Sequence, residues 1–390
     1  MTAALTAASV MGLLPGRPRL LALGEPTHGD EVLLGVRNDL FRQLVEQEGY
    51  RTITIESDCL LGQVVDEYVT TGAGTLDEAM AGGFSHEWGA FPGNRALVRW
   101  MRAYNDGRPA ADQVRFAGFD GPLEITAAAS PRQALTALHA YLAARVAAGL
   151  LPCTADTLEG LLGADDRWAE PAAMRDPSRS VGQTPDADRL RLLADDLVAL
   201  LAARAPQLIA VSAPQDWDQA RLHGRTAVGL LRYHRWMADP SPHRLAWLLA
   251  VRDSMMAGNL LALAERGPTL VSAHNGHLQR ELSTMRMDGV PQEWWSAGAL
   301  VTTRLGDGYA FLATALGTMH HRGVDAPPPD TVEGMLYAQP QDVCLVDARR
   351  LAGGVAPAAR VSPWFGYAPL DPAHLAGVDG IVFVKDAQRG

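Results

Sequence analysis

Leu20-Leu-Ala-Leu-Gly-Glu25-Pro-Thr-His28-Gly29 is an apolar run, too short for a helix, that ends in a carboxylate, a turn and an imidazole. Four apolar residues followed by Gly and Pro read as a buried parallel-type strand that feeds a turn and then a helix. Open α/β sheets place their ligand crevice outside the carboxyl ends of such strands. Glu25 and His28 therefore head the candidate site.

Three further apolar runs end the same way. Thr52-Ile-Thr-Ile runs into Glu56 and Asp58, Arg115-Phe-Ala-Gly-Phe into Asp120, and Leu270-Val-Ser-Ala into His274-Asn-Gly-His277. One polar strand end needs no explanation beyond solvent. Four that finish at Glu25, Glu56, Asp120 and His274 predict neighbouring parallel strands whose polar ends converge on one rim.

The 390 residues, 47% of them hydrophobic, suffice for one large α/β domain or two ordinary ones with a sizeable core. A net charge of -10 argues against an extended phosphate-binding surface and for a small-molecule partner rather than nucleic acid. Lys385 is the one lysine, which removes most Schiff-base and Ser-Lys chemistry. Cys59, Cys153 and Cys344 show neither metal-like nor redox-like spacing and read as reduced thiols of a cytoplasmic protein. No segment has the roughly 18 uncharged apolar residues of a membrane span, and the amino end lacks a basic leader region.

Strand-like and helix-like signals alternate over the first part of the chain. A helix is expected over residues 29–48, stopped by Gly49, and the strand-helix-strand unit from Leu20 to Glu56 implies a parallel pair. Helices are expected from Gly62 to Thr70 and from Asn94 to Asn105. Long Ala- and Leu-rich helical patterns follow, at Pro131–Gly149, Asp186–Arg204, Asp216–Met237 and Pro242–Arg266, the last with Ser241 as N-cap. Leu208–Val211 is the one strand-like run among them, and Gly163–Pro185 reads as a loop. The strand rhythm resumes at Thr269–Ala273, Tyr309–Ala315, Val343–Val346 and Gly380–Val384. The expected organisation is an α/β core split into residues 1–125 and 268–390, with a mostly parallel sheet. A helical insertion over 126–267 would wall the cleft.

Glu25 and His28, three apart on a turn, suit a general base whose imidazole tautomer is held by a carboxylate. Glu56 is the second carboxylate. His274 and His277 supply a further imidazole pair, as acid or oxyanion donor for water addition to a carbonyl. Arg37, on the following helix, is either a fixed positive charge or an ordinary surface arginine. The same His and Glu residues could instead ligate zinc or manganese, although no His-Glu-x-x-His signature is present. Nor is there a Gly-x-Ser-x-Gly elbow, a Walker loop or a dinucleotide fingerprint, so no nucleotide cofactor is expected. His86, in Phe84-Ser-His-Glu-Trp88, lies in a loop that could touch substrate. The histidines at 139, 223, 234, 243, 320, 321 and 374 read as surface or core residues.

Gly24-Glu-Pro-Thr-His-Gly29, Arg37, Thr54-Ile-Glu56, Trp100-Met-Arg-Ala-Tyr-Asn105, Gly118-Phe-Asp120, Arg252-Asp-Ser-Met255, Ala273-His-Asn-Gly-His277 and Val346-Asp-Ala-Arg349 stand in a distinctive order. Over about residues 20 to 385 this ordered set resembles the erythromycin esterase family. The resemblance implies a macrolide-esterase-like α/β fold with helices lining a deep cleft. It implies water attack on an ester or lactone with no covalent intermediate, no cofactor and no obligatory metal. His28 matches the general base, Glu25 and Glu56 the carboxylates around it, Arg37 the motif arginine, and His274 and His277 the second histidine pair. Asp120, His86, Trp88 and Arg252 are the candidate contacts to a bulky small-molecule substrate. Two other readings are a tailoring enzyme using the same acid-base site for elimination, cyclisation or transfer, and a metal- or haem-binding protein. Oligomeric state leaves no signature.

Overall fold

A computed structural model describes residues 2–124, 127–287, 289–352, 357–362, 364 and 366–387. Its strands are β1 (Thr2–Ala3), β2 (Leu20–Glu25), β3 (Thr52–Asp58), β4 (Arg115–Asp120), β5 (Thr269–His274), β6 (Leu282–Met287), β7 (Val290–Trp295), β8 (Tyr309–Thr318), β9 (Val343–Val346) and β10 (Gly380–Asp386). Eight of these form one sheet in the order β1-β9-β10-β8-β2-β5-β3-β4. The pairs β10–β8, β8–β2, β2–β5 and β5–β3 are parallel, and β9 runs antiparallel to β1 and β10 at the edge. The sheet is mostly parallel, as the apolar runs imply.

The expected pairing of the first two long strands is corrected. β5 lies between β2 and β3 and pairs with both, Glu25 opposite His274 and Ile55 opposite Ser272. The crossover helix carries the chain past one strand position, which a segment more than 200 residues later in the chain then fills. That insertion brings Glu25, Glu56 and His274 to adjacent strand ends.

The chain divides into two units, Met1–Phe119 with Leu260–Gly390, and Asp120–Asn259. The boundary expected between residues 125 and 126 lies outside the described residues. In the first unit the crossover helix Glu31–Gln47 starts where Asp30 accepts hydrogen bonds from the Val32 and Leu33 amides, satisfying two of the orphan donors of a helix start. Its inner stripe, Leu40, Phe41, Leu44 and Val45, joins Leu21, Leu23, Ile53 and Ile55 in one core cluster. Fully burying a side chain such as Phe41 contributes about 1.5–3 kcal/mol. The helix Pro92–Asn105 begins with proline at its first position, where the missing N–H is not needed. It ends at Asn105, whose side chain ties the Val69 carbonyl to both the amide and carbonyl of Val114.

Gly24 fixes the packing between β2 and its neighbours. A Cβ there would stand 2.1 Å from Asn275 Oδ1, and the Asn275 amide makes two hydrogen bonds to the Thr314 backbone in β8. Gly24→Ala is expected to lower the unfolding free energy by about 2–4 kcal/mol, through overpacking plus lost hydrogen bonds. Urea titration measures it, and a loss below about 0.5 kcal/mol, the range of an ordinary surface change, would show that Asn275 moves aside freely.

The second unit is built from the helices Arg132–Ala143, Ala155–Leu162, Pro185–Ala203, Ala205–Val211, Pro214–Met237 and most of Arg244–Ala264. Ala187, Leu190, Leu193, Ala194, Leu197 and Leu201 form the buried stripe of Pro185–Ala203 at helical spacing. Three expectations are corrected here. Leu208–Val211 is helical, because Ala205 and Pro206 start a helix that four apolar residues in a row cannot turn into a strand. The long helix expected from Pro242 starts at Arg244 instead, since the Ser241 amide is taken by Asp239 and the Arg244 amide closes a turn on the Ser241 carbonyl. The stretch read as a loop holds three 3-10 turns, Asp165–Arg167, Pro171–Met174 and Pro177–Arg179. It is pinned by the buried Trp168, whose indole N–H donates to Leu162.

Candidate active site

β2 ends at Glu25 and the chain turns through Pro26, Thr27, His28 and Gly29 before Asp30 caps the next helix. Gly29 adopts φ +73°, and any Cβ would strike the Phe91 ring at 2.6 Å, so this turn requires glycine. The tight turn folds His28 back over the strand end. Its Nδ1 lies 2.7 Å from Glu25 Oε1. A carboxylate only accepts, so Nδ1 carries the proton and Nε2 is left with its lone pair.

That lone pair faces the end of β3. His28 Nε2 is 3.9 Å from Glu56 Oε1, and His277 Nε2 is 3.3 Å from the same oxygen. Glu56 Oε2 accepts the His274 backbone amide at 2.9 Å. The carboxylate is 2% exposed and is the hub of three elements, β3, β5 and the single turn Asn275–Leu278. His274 stands with its ring centroid 5.3 Å from that of His28.

Two imidazoles so close cannot both take a proton cheaply, and their surroundings separate them. Burial alone would lower the His28 pKa, but Glu56 and the Glu25 hydrogen bond outweigh it and hold the group above the ordinary 6.5. Burial, reinforced by repulsion from His28, pushes His274 down to about 3. His274 is thus neutral at pH 7. Its Nδ1 accepts the Gly276 amide at 3.2 Å, which places its ring proton on Nε2, toward the Pro26 carbonyl. His28 keeps 40% of its side-chain surface accessible. The His28 imidazole is therefore within reach of water.

Arg37 is buried, not on the surface. Its guanidinium donates to Asn38 Oδ1 and to Asn94 Oδ1 at 2.8 Å, and Asn94 in turn donates to the Trp88 carbonyl. Burial lowers its pKa to about 10 against the pull of Glu25 and Glu31, so it remains a cation beside Glu25 at neutral pH. Ser57 and Ser85 hold the start of the same loop against β3 through reciprocal contacts. Between these anchors His86 and Glu87 both sit in the left-handed region, at φ 56° and 58°, a conformation that strains non-glycine residues and clusters at functional sites. The strained pair sets the Trp88 ring 5.2 Å from His28 and 5.9 Å from His86.

Glu25, His28, Glu56, His274, His277, His86, Trp88 and the Arg37 network thus come together in the first unit. Asp120 and Arg252 pair with each other instead. The Arg252 guanidinium grips the fully buried carboxylate in a bidentate bridge with contacts of 2.7–3.2 Å. Among the other histidines, His139 and His234 are core residues, His234 bonded to the Ala129 carbonyl and pushed down to about 4 by burial. Among the described residues no group of three or more His, Cys, Asp and Glu side chains is arranged to hold a metal ion. Sequence reasoning missed Asn38 and Asn94, which fix Arg37, and Trp294 of the β6–β7 hairpin, 6.5 Å from His277. Only the Asn-Gly step between His274 and His277 signalled Asn275.

The profile of the erythromycin esterase family matches residues 45–385. Erythromycin esterase type II of Escherichia coli is 30% identical over 107 residues, 27% of this chain, and the matched stretch spans 24% of that protein. A crystal structure of a Bacillus cereus protein superposes with a TM-score of 0.73 at 19% identity, covering 97% of this chain and 91% of the other. A mutant of the erythromycin esterase EreC in its open conformation superposes at 0.69 and 19% identity, covering 97% and 93%. At those identities the likeness establishes the fold. The profile, matched over most of the length, establishes more: the chain belongs to the erythromycin esterase family.

Proposed function

We propose that the protein is a hydrolase that opens an ester or lactone of a macrolide-like natural product by general-base activation of water. The observation that carries this reading is the geometry at the end of β2, where His28 Nδ1 lies 2.7 Å from Glu25 Oε1 and Nε2 faces Glu56 Oε1 at 3.9 Å. His28 Nε2 takes a proton from a water seated between it and Glu56 Oε1, whose 3.9 Å separation is too long for a direct hydrogen bond and suits a shared water. The hydroxide adds to the carbonyl carbon, and the acyl C–O bond breaks. The proton on Nε2 passes to the departing alkoxide, giving an acid and an alcohol. Glu25 holds the tautomer, Arg37 holds Glu25 electrostatically, and His274 and His277 fix Glu56 and the floor around it. Trp88 and His86 are the residues proposed to meet the substrate.

Incubation with a panel of macrolides and other lactones in heavy-oxygen water tests the reading by mass spectrometry. Hydrolysis adds one labelled water, with the label in the new carboxylate, and chelator leaves the rate unchanged. A product formed without incorporation of solvent oxygen would reassign the site to elimination, cyclisation or transfer.

The pH dependence has a defined sign. His28 works as a base only when neutral, so kcat/KM rises with pH through its raised pKa and the acidic limb lies above 6.5. Glu25→Gln keeps a hydrogen-bond partner at Nδ1 but removes a charge, and moves that limb toward lower pH. An unmoved limb would mean that the titration belongs to another group. Protonation of His28 itself favours the fold, so that contribution is complete below the unfolded pKa and fades as pH rises through the folded one.

A further inference from the structure

β8 outruns its neighbour. Its register with β2 closes at Leu23 opposite Leu312, yet the strand continues to Thr318. The buried backbone beyond Leu312 still needs partners, because a carbonyl or amide taken out of water and left unpaired is costly. Side chains supply them. Asn275 closes on both the amide and the carbonyl of Thr314. Arg360, 8% exposed, donates from Nη1 to the Leu316 carbonyl at 2.7 Å and from Nη2 to those of Gly317 and Asp325 at 2.9 and 2.6 Å. The planar fork of a guanidinium suits several carbonyls at once.

From Arg360 a run of contacts leads back to the catalytic turn. Nη1 also donates to the Tyr367 hydroxyl at 2.9 Å, and that hydroxyl donates to the Leu316 carbonyl at 3.2 Å. The Tyr367 ring is buried in one cluster with Leu316 and with Leu33, which lies in the first turn of the helix Glu31–Gln47. The next residue, Ala368, donates its amide to the Pro26 carbonyl at 2.8 Å, and the Leu370 amide is held by Glu333 Oε1 at 2.8 Å. Pro26 follows Glu25 directly and precedes His28 by two residues, and its carbonyl is also the acceptor that His274 faces. The end of β8 is thereby joined to the peptide beside the base. All of these residues belong to the first unit.

We propose that Arg360 is a positioning residue for the reaction, which through Tyr367 and Ala368 fixes the Pro26 peptide and with it the contact between His28 Nδ1 and Glu25. The proposal rests on the reading of His28 as the base, but what it asserts is a geometry that can be read without a substrate.

Nitrogen NMR of protein carrying heavy-nitrogen histidine tests it, with the His28 signals assigned by their loss in His28→Asn and kinetics run on the same preparations. Arg360→Met keeps much of the length of the side chain and loses every donor. In that variant the Glu25 hydrogen bond, one of the contributions that raise the His28 pKa, is weakened, so the His28 titration and the acidic limb of kcat/KM both move to lower pH. Glu56, His274 and His277, which also face His28, are unaltered in sequence. The Nδ1 signal moves toward that of an imidazole exchanging its tautomers. Turnover falls about tenfold at the parental KM, within the ~10²-fold that a 1 Å misplacement can cost. Should Arg360→Met fail to fold by circular dichroism, Tyr367→Phe decides: it removes one hydroxyl from the same run of contacts and gives smaller shifts of the same sign. His28 signals and an acidic limb that stay in place in the folded variant would overturn the proposal. A fall in kcat with both unmoved would overturn it too, since that marks Arg360 as a rivet of the fold alone. Failure of the parent to hydrolyse any lactone would count against the esterase reading, and the His28 signals would still decide this one.

Discussion

His28→Asn lowers kcat on the true substrate by about 10²–10⁴-fold, the range for loss of a positioned general base. Asparagine is the informative replacement. Its amide nitrogen falls near the place of Nδ1 and can still donate to Glu25, now 2.7 Å from that atom, while nothing takes the place of Nε2. The side chain is 40% accessible, so the variant opens no large cavity, and its unfolding free energy stays within about 1 kcal/mol of the parent. Urea titration and steady-state kinetics on the same preparation separate the two effects. Exogenous imidazole partly restores turnover in His28→Gly, a response that a purely structural role does not give. Wild-type kcat in His28→Asn would remove Nε2 from the mechanism and, with it, the base assignment.

The parts of this centre that the sequence discloses are those built locally. A strand buried on both faces must be a short apolar run, and Glu25, Glu56, Asp120 and His274 mark where four such runs stop. The Glu25–His28 pair is three residues apart, so turn geometry alone suggests the contact. The order of the strands is another matter. Glu56 meets the His274 amide across 218 residues of chain, and no local pattern states that β5 enters between β2 and β3. Arg37 shows the same limit: the helical period fixes which face is apolar, but the inward guanidinium is stabilised by Asn94, 57 residues away. The β6–β7 hairpin escapes period-two reading because residue type does not follow burial in β7, where polar Gln292 lies inside with Trp294 while Val290 and Trp295 are exposed. Leu208–Val211 errs the other way. An apolar run that signals a strand in the core is here a helix with Ile209 and Val211 facing outward.

Glu56 is the residue whose change separates charge from architecture. Glu56→Gln is nearly isosteric, and its carbonyl oxygen can accept the His274 amide in place of Oε2, so the joint between β3 and β5 holds. What disappears is the negative charge that most strongly holds the His28 proton against burial. The acidic limb of kcat/KM therefore moves to lower pH, and kcat falls by about 10²–10³-fold, because the weakened base and its water lose their charged partner together. Glu56→Ala goes further. It leaves the His274 amide without its acceptor in a site that is 2% exposed, and costs about 1–3 kcal/mol of stability besides activity. The contrast between the two variants is the test. If Gln preserves the parental limb and rate while Ala destroys both, Glu56 acts only as a strut between two strands. If Gln alone shifts the limb and slows turnover in a stable protein, its charge sets the basicity of His28.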